Sequence, residues 1–521
     1  MQTVSPAWKQ AHTKAVLPES LLTLSCRIGD PDAQRNAQVS SSQSEPFCHP
    51  AEVIVQADKQ PTPFTCLEQN SWILDGSRSH LTGTVTGYTG FISSVISTAQ
   101  CGFVQNPFVS FGWTAPQPNL IGGVTITWST AMGEMARDFT VRAWLGNTLT
   151  AEKTVTGNTK TVSAVELNIQ NYDRITVEVT QWCLPFSRAR MEDMVFGLFK
   201  LWSKADIVSF RQEQSVDMMS GSLPKSAIKF DTNNLSQEFN PDAEDGFSRY
   251  LMERQEVVVS YGLKLANTIE WIPGGVFYLT GWETPQNGII STFFARDAVD
   301  FLQDAYTGIR SGTLLQIAEA ALAQAKLPLG FVHSFHGSLA NNSVNLTGEK
   351  YDYTLGETLQ MIANAAMCVL YQDRQSVLRI EPYTPAVPDY SIDKTNSYEH
   401  GEYTISKPLR RVVVNKNLAD ITVSTRGETL ELTNPFIQTA THAVSVANWI
   451  AQMFEHRKTI SGSYRGDPRI DALDTAHIQN KYAANIAILT DIELDYKGAF
   501  SGKYKGIALN SSNAALLTEE V

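Results

Sequence analysis

The chain is poor in cysteine and in charge, and it has no long apolar run. Six cysteines stand among 521 residues: Cys26, Cys48, Cys66, Cys101, Cys183 and Cys368. No two fall at CxxC or any other zinc-ligand spacing. So few cysteines in so long a chain argue against a disulfide scaffold. They read as free thiols made in a reducing cytoplasm, with a single bridge such as Cys48–Cys66 left open. Charged residues make up 18% of the chain, clearly below the usual share of about a quarter. Acidic residues number 53 and basic residues 41, for a net charge of −12. No basic stripe is present, which excludes sequence-independent nucleic-acid binding, and an acidic chain is repelled by anionic membranes. No stretch of about 18 apolar residues occurs, so no helix is expected to span a membrane. The opening segment, MQTVSPAWKQAHTKAVLPESLL, lacks an apolar core of signal-peptide length, so the general secretory route is not expected.

In place of charge the chain carries Thr, Ser, Asn and Gln, with 33 Gly and 22 Pro. That mix favours strands and turns over long solvated helices. At about 100–200 residues per domain, the length makes three or four domains.

Residues 1–72 offer a short helix around Trp8–Lys14 and two strand-like runs, LLTLSCRIGD and EVIVQAD. Residues 73–199 are a series of short runs between turn signals: GFISSVIS, PFVSFGW, GVTITWST, DFTVRAWLGN, AVELNI, DRITVEVTQW and MEDMVFG. Val124, Ile126 and Trp128 alternate with Thr, and Ile175, Val177 and Val179 alternate with polar residues. Period-2 alternation means one buried and one wet face, and six or seven such strands predict an antiparallel β-sandwich. Residues 200–305 are again mainly β, closed by a helical turn at AVDFLQDA.

Residues 306–385 bring helices. GTLLQIAEAALAQAK places Leu314, Leu315, Ile317, Ala318, Ala321 and Leu322 at 3.6 spacing behind an N-cap at Thr313. TLGETLQMIANAAMCVLY opens with Thr354 and Glu357 in capping-box register. With the strand SVLRIEPY they predict a small α+β unit. Residues 386–521 return to β: RRVVVNKNLADITVST and ETLELTN pair as a meander. A helix in HAVSVANWIAQMFEHRK has Val444, Ala447, Ile450, Ala451 and Phe454 on one face, and three strands finish the chain.

Motifs for chemistry are sparse. No P-loop, GxGxxG, GxSxG or HExxH pattern occurs. His333 and His336 form an HxxH pair with no third ligand in view, so no metal is expected. Asp467, Asp471 and Asp474 cluster in RGDPRIDALD, but not at calcium-loop spacing, and NPDAEDG (240–246) is read the same way, as a loop. A glycosidase needs two carboxylates held about 5–10 Å apart, and nothing singles out a pair. Flat indole rings stack on sugars. Trp113, Trp128, Trp144 and Trp182 fall in the sandwich. Trp128 and Trp144 are in phase with the core, which leaves Trp113 and Tyr88 as the candidates for exposure and for glycan binding.

The runs WILDGS (Trp72–Ser77), GYTGFISS (Gly87–Ser94) and QWCLPFSRARMEDMVFG (Gln181–Gly197) resemble a discoidin-type, galactose-binding-like β-sandwich found inside phage tail proteins of Gram-positive hosts. In that fold the pair at Arg188 and Arg190 precedes the last strand and pins the sandwich. VSFRQEQSVDMMSGSLPKSAIKFDTNN, then EVVVSYGL and GGVFYLTGWE, is similar to tail hub proteins of siphophages, prophages and phage-tail-like particles. TLGETLQMIANAA, GDPRI and DYKGAFSGKYKG extend the resemblance over most of residues 70–521.

The resemblance implies a mainly β fold with α+β parts, made of two tube-type β-barrels, an inserted antiparallel sandwich and a small α+β domain. Residues 1–72 and 200–305 would form the first hub barrel around the sandwich at 73–199. The α+β domain would occupy 306–385, and the second barrel with its helix 386–521. It further implies a homotrimeric ring at the virion tail tip, assembled in the host cytoplasm. The ring would join the distal tail protein or tail tube protein to fibre and tip proteins. Genome DNA would pass without specific binding, and the sandwich would face outward toward host cell-wall carbohydrate or a neighbouring tail protein. No enzyme activity, cofactor or membrane insertion is expected. A cell-wall hydrolase with a binding module and a glycan-binding adhesin are the alternatives.

Overall fold

The computed structural model describes residues 1–510 except 15, 47, 56–61, 64–86, 131, 244–245, 267, 286–287, 329–330, 349, 399–400, 417 and 480–482. WILDGS (72–77) and Cys66 therefore lie outside the described residues. The chain is mainly β with α+β parts.

The alternation in LLTLSCRIG does what period 2 requires. Strand Ser20–Gly29 turns Leu22, Leu24, Cys26 and Ile28 into a core. It is flanked by strands Gly197–Trp202 and Glu256–Lys264, both antiparallel. The sheet continues through Ile269–Glu283, Ile290–Arg296, Lys225–Asn233 and Ile207–Ser215. There it passes into the C-terminal half. Ile207–Ser215 pairs with Ala484–Tyr496, from Phe210↔Tyr496 to Ser215↔Asp491. Strands Phe500–Ala508, Lys458–Tyr464 and Glu402–Ile405 follow, within a sheet of 13 strands.

The first half is rolled: the Trp202 ring lies 5.4 Å from both Phe230 and Phe293, across strands that are not paired with it. The second half has its own core, with Ile460, Tyr464, Leu489 and Tyr504. The segments expected as two barrels thus lie in two halves of one hydrogen-bonded sheet, each half with its own core. Among the described strands its path stays open, ending at Gly197–Trp202 and Glu402–Ile405. The 13-residue strand Ala484–Tyr496 makes the continuity possible. Its first part pairs with Thr475–Gln479 and its last part with Ile207–Ser215.

The sandwich is an insertion between Gly29 and Gly197. Its larger sheet runs Gln38–Ser41, Phe108–Gln117, Tyr172–Trp182, Ala136–Leu145, Thr148–Val155. Facing it are Val162–Ile169, Ile121–Thr127 and Asp193–Val195, and a pair formed by Arg188–Met191 and Phe91–Ile96. Phe111, Trp128, Phe139, Val141, Ile175, Val177 and Trp182 fill the space between.

Three details differ from the alternation argument. Strand Ile121–Thr127 is buried on both faces, because Thr125 faces the main sheet and its Oγ1 donates to Gly197 O at 3.0 Å. Strand Thr148–Val155 has no buried face and so gave no apolar signal. Residues 31–54, read with the first barrel, pack on the sandwich: Gln38–Ser41 pairs with Phe108–Gln117, and Ala33, Val53 and Ile54 enter its core.

Helices Leu314–Gln324 and Leu355–Ala365 begin with the capping boxes Thr313–Gln316 and Thr354–Glu357. The third helix, Ala440–Met453, starts at the N-cap Thr439. Its buried face is His442, Ala443, Val446, Ala447 and Ile450, whereas Val444, expected inside, is exposed. His442 shifts the phase, because its Nε2 meets Ala365 O at 2.7 Å and brings the first turn inward. This helix and the sheet Ala419–Thr422, Leu409–Val414, Glu428–Leu432 share one core with the other two helices. The α+β unit therefore draws on residues beyond 385. Glu428–Leu432 runs parallel to Leu409–Val414, so the three strands are not a meander.

Candidate functional site

The seam between the two halves presents a wet face. On Ile207–Ser215, Phe210 and Gln212 point into the core while Arg211 and Glu213 point out. On Ala484–Tyr496, Ile492, Leu494 and Tyr496 are buried while Asp491, Glu493 and Asp495 alternate with them. The cross-strand register sets the outward charges side by side. Arg211 Nε donates to Asp495 Oδ1 at 2.8 Å, Lys503 Nζ to Glu493 Oε1 at 2.8 Å, and Lys505 lies 3.8 Å from Asp491. Exposed pairs of this kind contribute at most about 1 kcal/mol each. Their effect is on the surface, which carries both signs in alternation and no continuous positive stripe. A cleft of about 880 Å³ opens over this face, walled on the far side by Arg296, Asp300 and Glu357.

The acidic residues singled out in the sequence are already engaged. Asp467 is buried in an ion pair with Arg469 at 2.6 Å. Asp471 pairs with the buried Arg374 and accepts from Gln2 Nε2 at 2.9 Å. Asp474 takes the Met1 amino group. Arg374 also donates from Nη2 to Ile470 O at 2.7 Å and from Nη1 to Pro273 O at 3.1 Å, so it ties the 468–471 loop to the first half of the sheet. Asn240 closes a turn: its Oδ1 accepts from Asp242 N at 3.0 Å. His336 caps a 3-10 turn through Ser338 N at 3.2 Å, while His333 is exposed and rests against Phe335. Among the described residues, no group of three or more His, Cys, Asp or Glu is placed to hold a metal ion.

Sequence reasoning missed Asp297. It is buried at the junction of the first half and the α+β unit, caps a 3-10 turn through Val299 N at 3.2 Å, and borders the cleft. Burial pushes its carboxyl up to about 8.

In the sandwich the tryptophans are occupied. Trp113, expected to be exposed, is buried, with its Nε1 donating to Ala33 O at 2.9 Å and its ring edge-on to Tyr172 and Phe196. Residues 31–54 pack on the sandwich core and bring Ala33 against the indole. Trp128 is buried as expected, and Trp182 is buried with it. Trp144, expected in phase with the core, lies on the opposite phase from the buried Phe139, Val141 and Ala143 and is half-buried, with the Arg174 guanidinium 5.0 Å above its ring. Tyr88 lies in a two-residue strand, Gly87–Tyr88, and its side chain is outside the described residues. Arg188 and Arg190 both bridge elements. Arg188 Nε meets Glu45 Oε1 at 2.9 Å. Arg190 Nη1 meets the buried Glu134 Oε2 at 2.7 Å, which also accepts from Trp182 Nε1 at 3.1 Å.

No protein-family profile matches the chain. No curated protein matches it. Among solved structures it is similar to a 43 kDa prophage tail protein from Shewanella oneidensis, at 13% identity over 59% of this chain and 95% of that one, with a TM-score of 0.42. It is similar to a tail protein from Neisseria meningitidis, at 11% identity over 59% of this chain and 93% of that one, with a TM-score of 0.42. It is also similar to a prophage tail protein from Listeria monocytogenes, at 10% identity over 61% and 94%, with a TM-score of 0.34.

Proposed function

We propose that this chain is a structural tail hub protein of a bacteriophage or phage-tail-like particle. In this reading three copies form a ring at the tail tip that joins the tube or distal tail protein to fibre and tip proteins. The observation that carries the reading is the seam. Two halves of the chain meet strand to strand, so each copy offers one long curved wall rather than two loosely tethered domains. The wet face of that wall has alternating charge on a chain of net charge −12, a surface along which DNA slides without sticking. The sandwich leaves and rejoins the wall at adjacent residues, which suits a module projecting from a ring. Contact with host carbohydrate through it would rest on Tyr88, because Trp113, Trp128 and Trp182 are buried and Trp144 is covered on one side. A role as an interface to a neighbouring tail protein fits the same placement.

One observation favours the hydrolase alternative: a buried, proton-retaining carboxyl, Asp297, at the edge of a large cleft. Its nearest acidic neighbour in sequence, Asp300, accepts from Arg296 at 3.1 Å and Gln303 at 2.9 Å, and Asp297 itself serves as a cap. The test is the mass of the purified protein by light scattering together with a zymogram on Gram-positive cell walls. A trimer without lysis fits the hub, and lysis by a monomer overturns it.

A further inference from the structure

The first fourteen residues lie across both halves of the sheet. Toward the first half, Ser5 N donates to Glu270 Oε1 at 2.8 Å, and Trp8 is buried in the core that holds Leu22 and Tyr261. Toward the second half, Gln2 N donates to Arg469 O at 2.9 Å, and Arg465 Nη1 reaches Lys14 O at 2.9 Å. His12 sits where the two sets of contacts meet. Its ring stacks on Trp8 with centroids 6.0 Å apart, and its Nδ1 lies 3.7 Å from Asp467 Oδ2. The His12 side chain is 7% exposed, and Asp467 is fully buried. His12 Nε2, Trp8 Nε1 and Arg469 Nη1 have no hydrogen-bond partner among the described residues.

We propose that residues 1–14 are a clamp between the two halves of the sheet, which acid opens by protonating His12. The neutral imidazole suits its site: an apolar ring face on Trp8 and one carboxylate already shared with Arg469. A proton on His12 leaves two cations on that carboxylate, with almost no water to screen them. From the 465–469 loop, Asp467 attracts the imidazolium, while Arg469 and Arg465 repel it. Tyr390, whose ring lies under Arg469, is neutral, and Asp389 is paired with Lys9 at 2.5 Å. Burial is the largest influence and lowers the imidazole pKa; Asp467 opposes it, and Arg469 and Arg465 add to it. The sign follows. A histidine with a lowered pKa stabilises the closed form above its ordinary value of about 6.5 and loses that contribution as pH falls. The inference rests on these contacts and not on the hub reading.

Hydrogen exchange read by mass spectrometry on the full chain tests the clamp. Peptides covering residues 1–14 are compared at pH 7.5 and pH 5.0, with exchange times scaled for intrinsic rate. Protection there should fall roughly tenfold per pH unit while opening takes up a proton, with peptides from Tyr172–Trp182 unchanged. His12→Phe keeps the stacking and removes the proton, so its protection should be equal at both pH values. Should that variant fail to fold, the His12 ring signals of the wild type must titrate together with the loss of protection. Equal protection at both pH values in the wild type, or the same loss in His12→Phe, overturns the proposal.

Discussion

Gly29 and Gly197 sit directly opposite one another where the chain leaves the main sheet and re-enters it. A Cβ on Gly197 would stand 2.2 Å from the Gly29 Cα and from Ile28 O, and a Cβ on Gly29 would stand 2.4 Å from Phe196 O. The sandwich is therefore attached through two strands in backbone contact, and only glycine fits on either side. Both backbones are rigidly paired, so the clash cannot relax by rotating a side chain.

Gly197→Ala tests this attachment. The substitution should destabilise the protein by more than about 2 kcal/mol, as overpacking against fixed backbone does. The urea midpoint is the measurement, with Gly146→Ala, an open turn glycine of positive φ, as the comparison for pure backbone strain.

The buried pair Arg190–Glu134 should behave asymmetrically. Removing one partner, as in Glu134→Leu, should cost about 3–5 kcal/mol, because it takes away the buried carboxylate that faces the Arg190 guanidinium in the sandwich interior. Replacing both, Arg190→Met with Glu134→Leu, should recover only part of that loss, because Trp182 Nε1 also donates to Glu134 and loses its acceptor in either variant. Chemical unfolding followed by tryptophan fluorescence reports it.

Asp297 gives a pH dependence of defined sign. Its carboxyl stays protonated in the native state up to about 8. An ordinary carboxyl ionises near 3.9 when unfolded. Its contribution is thus whole below that value and is lost progressively as pH rises toward 8. Asp297→Asn keeps an acceptor for Val299 N and removes the titration. Between pH 5 and pH 8 the variant should lose less stability than the wild type, as read from denaturant midpoints.

Much of the fold was legible because burial imprints a period. Leu22 to Ile28 and Ile175 to Val179 alternate as their strands require, and Thr354 with Glu357 announces its helix. What was hidden has physical reasons. Strand Thr148–Val155 lies at an exposed edge and buries no residue fully, with only Ala151 and Val155 partly packed on the core. Thr125 is a polar residue buried by a second layer. The continuity of the main sheet depends on pairing Phe210 with Tyr496, residues whose separation no local pattern bridges. For the candidate site the gap is wider. Asp467, Asp471 and Asp474 read as a cluster, yet beside local partners such as Arg469 they are held by distant ones, Arg374 and Met1. The burial of Trp113 is set by residues 31–54.

The proposed closed ring of three chains is tested by the solution mass from light scattering across a dilution series. The expected mass is three times 57.5 kDa, with images of the same fractions showing a ring and three peripheral lobes. A mass of one chain at every concentration, with no ring in the images, would contradict it.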